Sequence, residues 1–144
     1  MLRNKIKKVG GFIVILFLML APIGGASADE YLKPFNLAHH DSGSIASKVA
    51  AIKEWLTESS FKVVGEYSPF AGTHIIVVTN DQLKANATKS TNGGFGAAVR
   101  IAITKVGAHI QISYSNPSYM AHSYRMKDKL KGVEDELKQL LDHV

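Results

Sequence analysis

The chain has 144 residues, no cysteine and a formal net charge of +5. Four of its 17 Lys and Arg residues (Arg3, Lys5, Lys7 and Lys8) fall in the first 28 positions, which hold no acid, so the remaining 116 carry 13 cations against 12 Asp and Glu. The basic pI of 9.4 is therefore a property of the N-terminal segment, and the near-neutral remainder offers no electrostatic footprint for nucleic acid or an anionic membrane. Without cysteine there is no disulfide, thiolate metal site, cysteine nucleophile or lipidated cysteine anchor.

Residues 1–28 fall into three regions. Met1–Lys8 is cationic, Phe12–Leu20 is an unbroken apolar run, and Ala21–Gly25 interrupts any helix before the small-x-small triplet Ala26-Ser27-Ala28. This is the layout of a secretory signal peptide, with cleavage expected between Ala28 and Asp29. Phe12–Ile23 supplies 12 residues, short of the ~20 that span hydrocarbon. The expectation is a secreted or periplasmic protein with no stable membrane anchor after cleavage.

The mature part, 29–144, is of a length that suits one domain. Asp29–Ser44 is an extended lead-in with Phe35, Leu37 and His39 at alternating positions. Ser44 can cap a helix, whose apolar face is Ile45, Val49, Ile52 and Leu56 and whose end lies near Ser59-Ser60. Phe61–Tyr67 and Thr73–Thr79 are rich in β-branched and aromatic residues and flank Ser68–Gly72, which predicts a hairpin. Asp81–Ser90 reads as a short helix, and Thr91–Gly94 turns the chain.

Phe95, Ala97, Val99, Ile101 and Ile103 then alternate with smaller or polar residues, predicting a strand with one buried face. Val106-Gly107 turns into a second strand, Ala108–Ser115, with Ile110, Ile112 and Tyr114 on one face. From Tyr119 to Leu141 the apolar positions fit one long amphipathic helix. That helix runs toward the C-terminus without a Gly or Pro stop, which leaves room for a downstream segment. The order predicts an α+β two-layer sandwich: an antiparallel sheet of four to five strands with two main helices on one face, in β-α-β-β-β-β-α order.

Residues 44–125 carry a family resemblance. The helix SIASKVAAIKEWLTESSF leads into KVVGEYSPFAGTHIIVVTN, and GFGAAVRIAITKVGAHIQISYSNPSYM ends a strand pair in an Asn-Pro turn before a helix. These pieces resemble the domain-of-unknown-function 302 family. The resemblance implies a TATA-binding-protein-like topology, a homodimer, and a pocket between helix and sheet. It implies no reaction and no catalytic residues.

The densest candidate site is Tyr114–Arg125. Pro117 cannot extend the strand, so the chain turns there, and Ser118 is a possible N-cap with free first-turn N–H groups. Tyr119, His122 and Met126 are helical neighbours at i, i+3 and i+7, and an imidazole beside a phenol can bind a metal or haem or pass a proton. Tyr114, Asn116, Tyr119 and His122 are the expected ligand-binding residues, against the simpler reading that Tyr119 and Met126 are core. No cofactor is named by the sequence.

Other features carry less. His39, His40 and Asp41 are adjacent on a strand, so the two histidines point to opposite faces; only His39 with Asp41, approached by His74 or His109, could hold an ion. Asn92–Gly96 lacks the helix and the Lys-Ser/Thr ending of a phosphate cradle. Arg125, Lys127, Lys129 and Lys131, at about 200° per step on a helix, read as a solvated face. No nucleophile elbow is present. The expected function is a dimeric module binding a small ligand, haem or metal. The alternatives are a protein-interaction domain and a small hydrolase or proton-transfer enzyme using His122.

Overall fold

Period-two alternation at Val99, Ile101 and Ile103 becomes the central strand of the fold. The computed structural model describes residues 31–144. Its strands are β1 (Phe35–Asp41), β2 (Lys62–Tyr67), β3 (Thr73–Thr79), β4 (Val99–Val106) and β5 (His109–Ser115). They form one antiparallel sheet in the order β1-β5-β4-β3-β2. Gly72 and Gly107, at φ of 83° and 62°, take the left-handed backbone that the two hairpins need. The signal peptide expected at 1–28 lies outside the described residues.

One face of the sheet is the core. Val99, Ile101 and Ile103 sit opposite Val78, Ile76 and His74 on β3, while Ile112 and Tyr114 of β5 stand beside Ile103 and Ile101. Ile76, Val78, Ile101, Ile103 and Ile112 are fully buried, each such burial being worth roughly 1.5–3 kcal/mol. Against them pack α1 (Ile45–Thr57) and α4 (Lys131–Leu141). Ser44 opens α1 with a capping box, its hydroxyl taking the Ser47 N–H while the Ser47 hydroxyl takes the Ser44 N–H. This satisfies two donors that a helix start leaves without partners. Ile52 and Leu56 of α1 and Val133, Leu137 and Leu141 of α4 supply the helical half of the core.

The opposite face is left uncovered by α1 and α4. It presents Ile75, Ala102 and Ser113, aligned in register across β3, β4 and β5, and Val77 opposite Arg100, with Tyr67 at one edge and Phe35 and Leu37 at the other. Phe35 and Leu37 are 65% and 63% exposed. Their alternation with His39 does not mark a buried face. A register shift between Leu37 and His39 adds a residue to β1, and a bulge breaks the period-two rule. Phe35 and Leu37 therefore lie over Ser115 and Ser113 on the open face, while His39 joins Ile112 on the other.

Two expectations are corrected. The strand predicted from Phe95 begins at Val99, because Gly93–Gly96 winds into a short 3-10 turn and leaves Phe95 67% exposed. The single helix predicted from Tyr119 to Leu141 is two: α3 (Pro117–Ser123) and α4, separated by Tyr124–Leu130. The break has a clear cause. Arg125 adopts φ 53°, its N–H bonds the His122 carbonyl at 3.1 Å, and the Met126 N–H reaches back to the Ala121 carbonyl at 2.8 Å. Those two bonds are the Schellman motif that ends helices, with arginine where glycine is usual. Met126 and Ala121, both buried, supply its apolar contact.

Candidate functional site

The Asn-Pro dipeptide fixes the corner between β5 and α3. Asn116 is the N-cap, its side-chain carbonyl accepting from the N–H groups of Ser118 at 2.9 Å and Tyr119 at 3.3 Å. Pro117 follows at the first helical position, where its missing N–H costs nothing. The Asn116 amide donates to the Lys33 carbonyl at 3.0 Å. Ser118, expected as the cap, instead donates its hydroxyl to Glu134 of α4 at 2.5 Å. Glu134 also takes the Asn36 amide at 3.2 Å, with Lys131 at 3.7 Å. Tyr114 is buried beside this group, and burial raises its phenol above the ordinary value of 10.0 although a hydrogen bond with Asn36 opposes the shift. No buried side-chain nitrogen or oxygen among the described residues lacks a partner, and the bonds of this corner make it a structural joint between β1, α3 and α4.

A concave site lies at the other end of α3. Its two walls are turns: Lys89–Asn92, after α2 (Asp81–Ala87), and Tyr124–Lys127, after α3. The cavity measures about 440 Å³, within the roughly 300–1,000 Å³ usual for small-molecule sites. Three cations, Lys89, Arg125 and Lys127, line it together with hydroxyl and amide side chains, and no carboxylate does. Among the described residues none of the three cations is paired with an acid; Lys89 donates only to the Asn86 amide oxygen, at 2.7 Å. The walls are held in place. The Lys127 N–H donates to the Ser90 hydroxyl at 3.0 Å, and the Gly93 N–H to the Ser90 carbonyl at 2.9 Å. The Tyr124 ring stacks on Phe95 with centroids 5.1 Å apart.

None of the four residues expected to bind ligand lines this cavity. Tyr114 and Asn116 are buried in the corner, and the polar side chain of Asn116 is spent on the cap and on Lys33. Tyr119 is half-buried and His122 exposed on α3, with no side-chain hydrogen bond to either among the described residues. Because α3 stops at Ser123, Met126 no longer shares a helix face with them and instead packs against Gly96. Arg125 and Lys127, expected on a solvated helix face, line the pocket because the helix is broken between them and α4. Lys89 comes from a turn distant in sequence, and no spacing rule links it to them.

The histidines are dispersed. His39 stands 3.7 Å from Asp41, His74 bonds Glu66 at 3.1 Å and Ser68 at 3.1 Å, and His40 packs on His109 with ring centroids 4.7 Å apart. Among the described residues no group of three His, Asp or Glu could hold a metal ion, and no helix is long and apolar enough to cross a membrane.

An antiparallel five-stranded sheet with α1 and α4 on one face defines an α+β protein of the kind expected from the sequence. A crystal structure of an uncharacterized conserved protein, DUF302, from Bacillus stearothermophilus has this fold: TM-score 0.62 at 14% identity, over 78% of this chain and 95% of that one. The resemblance to the domain-of-unknown-function 302 family thus extends from sequence pattern to architecture. The chain matches no family model and no curated protein.

Proposed function

We propose that this protein is an exported module that works as a homodimer and binds a small ligand between the Lys89–Asn92 and Tyr124–Lys127 turns. The pocket carries the reading. It has a ligand-sized volume of about 440 Å³ and several polar side chains converging on it, the combination that binding sites share. Export rests on the cationic, apolar and small-residue order of positions 1–28. Dimerisation rests on the open sheet face, where Ile75 lies in register with Ala102 and Val77 with Arg100, and a second copy would cover them. A two-fold pairing of this kind needs a self-complementary patch, and the candidate is the row Ile75, Ala102 and Ser113 with Val77 and Arg100 beside it.

The test of binding is amide shift mapping of the full chain against a set of small molecules spanning anionic, neutral and cationic classes. Compounds that move the amides of 89–92 and 124–127 together support the site. A set in which none does so contradicts it. The exposed Phe35 and Leu37 favour a second reading, a protein-interaction domain that adds a partner along β1.

A further inference from the structure

Arg125 occupies a backbone position at which glycine would cost less. A side chain at φ 53° crowds its own carbonyl, and strained residues of this kind gather where a site depends on them. Here the strained turn aims Arg125 into the same cavity as Lys89 and Lys127. Three positive charges converge with no lining acid to neutralise them. Asp128, the acid next in sequence, does not line the cavity and turns one carboxylate oxygen to the Leu130 N–H at 2.8 Å. The Ser90 oxygen accepts from the Lys127 N–H, which leaves its hydroxyl proton to donate. The Asn92 side chain makes no capping bond to the turn it precedes. The donors therefore outnumber the acceptors, and the charge is unbalanced in one direction.

From this we infer that the pocket receives a phosphomonoester carrying a flat ring. The inference rests on the pocket being a binding site and names the class of ligand. A phosphate monoester brings about two negative charges near neutral pH and three strong acceptor oxygens. That matches a guanidinium, two ammonium groups and a hydroxyl better than a single carboxylate does, and guanidinium pairs with phosphate through two parallel hydrogen bonds. Tyr124 lines the cavity and its ring stacks on Phe95, which lies outside the lining and is 67% exposed. A ligand ring laid on this pair gains an offset aromatic contact, with the phosphate toward Arg125 and Lys127.

The experiment is an amide shift titration of the full chain with phenyl phosphate, phenol and inorganic phosphate. It is repeated on Arg125→Gly and on Lys127→Met. Glycine relieves the left-handed backbone and keeps the turn, so this variant loses the guanidinium without losing the fold, and a melting temperature no lower than the parent's verifies it. Lys127→Met keeps the N–H that holds Ser90 and removes only the charge. Phenyl phosphate is expected to move the amides of 89–92 and 124–127. Its affinity should exceed that of phenol and of inorganic phosphate by about tenfold or more, and each variant should weaken it by about tenfold, the scale of one charge-assisted hydrogen bond. Phenol binding as tightly as phenyl phosphate, or affinity unchanged in both variants, overturns the phosphate. Inorganic phosphate binding as tightly as phenyl phosphate overturns the ring. A neutral or cationic compound that moves these amides while phenyl phosphate does not leaves the binding site standing and removes this inference. Silence from every compound removes both.

Discussion

The Lys127 N–H donates to the Ser90 hydroxyl at 3.0 Å, joining two turns that lie 37 residues apart in sequence. That bond closes the pocket, because each turn alone is an exposed bend and only their attachment makes a wall on either side. Close backbone approach holds the same arrangement from below, where Met126 lies over Gly96 and the 3-10 turn lies over the end of α2.

A methyl group at either glycine tests that approach. A Cβ on Gly96 would stand 2.5 Å from the Met126 sulfur, the movable end of a flexible side chain, whereas one on Gly93 would collide with the backbone carbonyl of Ala87. Gly96→Ala is expected to cost about 1–3 kcal/mol, the range for overpacking, and Gly93→Ala to cost more because backbone cannot move aside. Urea denaturation of the two variants gives the order. The reverse order would mean that Met126 is rigid and the α2 end is not.

The corner behind the pocket depends on Glu134. Ser118→Ala and Glu134→Ala are each expected to destabilise the protein by about 1–3 kcal/mol, since each leaves a partly buried donor or acceptor without its partner. The double variant should lose less than the two added together, with a coupling of at least about 0.5 kcal/mol. Strict additivity would show that the short Ser118–Glu134 contact contributes nothing of its own.

Acid stability should depend on the edge strand β2. Lys53 at 2.7 Å and His74 at 3.1 Å bond the two oxygens of Glu66. Lys53 first and His74 second hold its carboxyl below the usual carboxylate range. A folded-state value below the unfolded one stabilises the protein fully above the unfolded value, and that contribution disappears as pH falls through the folded value. Lys53→Met should therefore lower the stability-against-pH curve slightly at neutral pH, where the Glu66 contribution is fully present, and let it converge on the parent's in acid, which flattens the acid limb. The effect is small because the pair is solvated, and an acid limb identical to the parent's would contradict it.

The open sheet face supplies a prediction about assembly. Ala102 lies between Ile75 and Ser113 in register, so in the proposed dimer an arginine there would carry a second charge, beside Arg100, into the interface. Ala102→Arg is expected to give a monomer by light scattering with little change in melting temperature, since the side chain points away from the core. A variant that keeps the parent's mass would place any interface elsewhere.

The strands and α1 were legible in the sequence because burial on one face imposes a period that the residues display. Val99, Ile101 and Ile103 do so at two, and Ile45, Val49, Ile52 and Leu56 at alternate intervals of four and three. The break after Ser123 was not, because the left-handed residue that ends α3 is Arg125 rather than a glycine. The cap was within reach, since a proline at the first helical position marks the residue before it, Asn116, as the N-cap. The pocket was not: Lys89 and Arg125 meet only through the turn geometry that Ser90 and Gly96 set, and no local spacing encodes that. Phe35 and Leu37 showed the period of β1, but the bulge between Leu37 and His39, which puts His39 on the other face, has no local signal.

The most direct measurement is native mass spectrometry of the protein and of Arg125→Gly, both recovered from the same host, with denaturing mass on each sample. The account predicts chains that lack residues 1–28, a parent complex of two chains carrying excess mass from a bound small molecule, and loss of that excess in Arg125→Gly. Parent protein with no excess mass, or the same excess in both samples, would contradict the placement of the ligand between Lys89, Arg125 and Lys127.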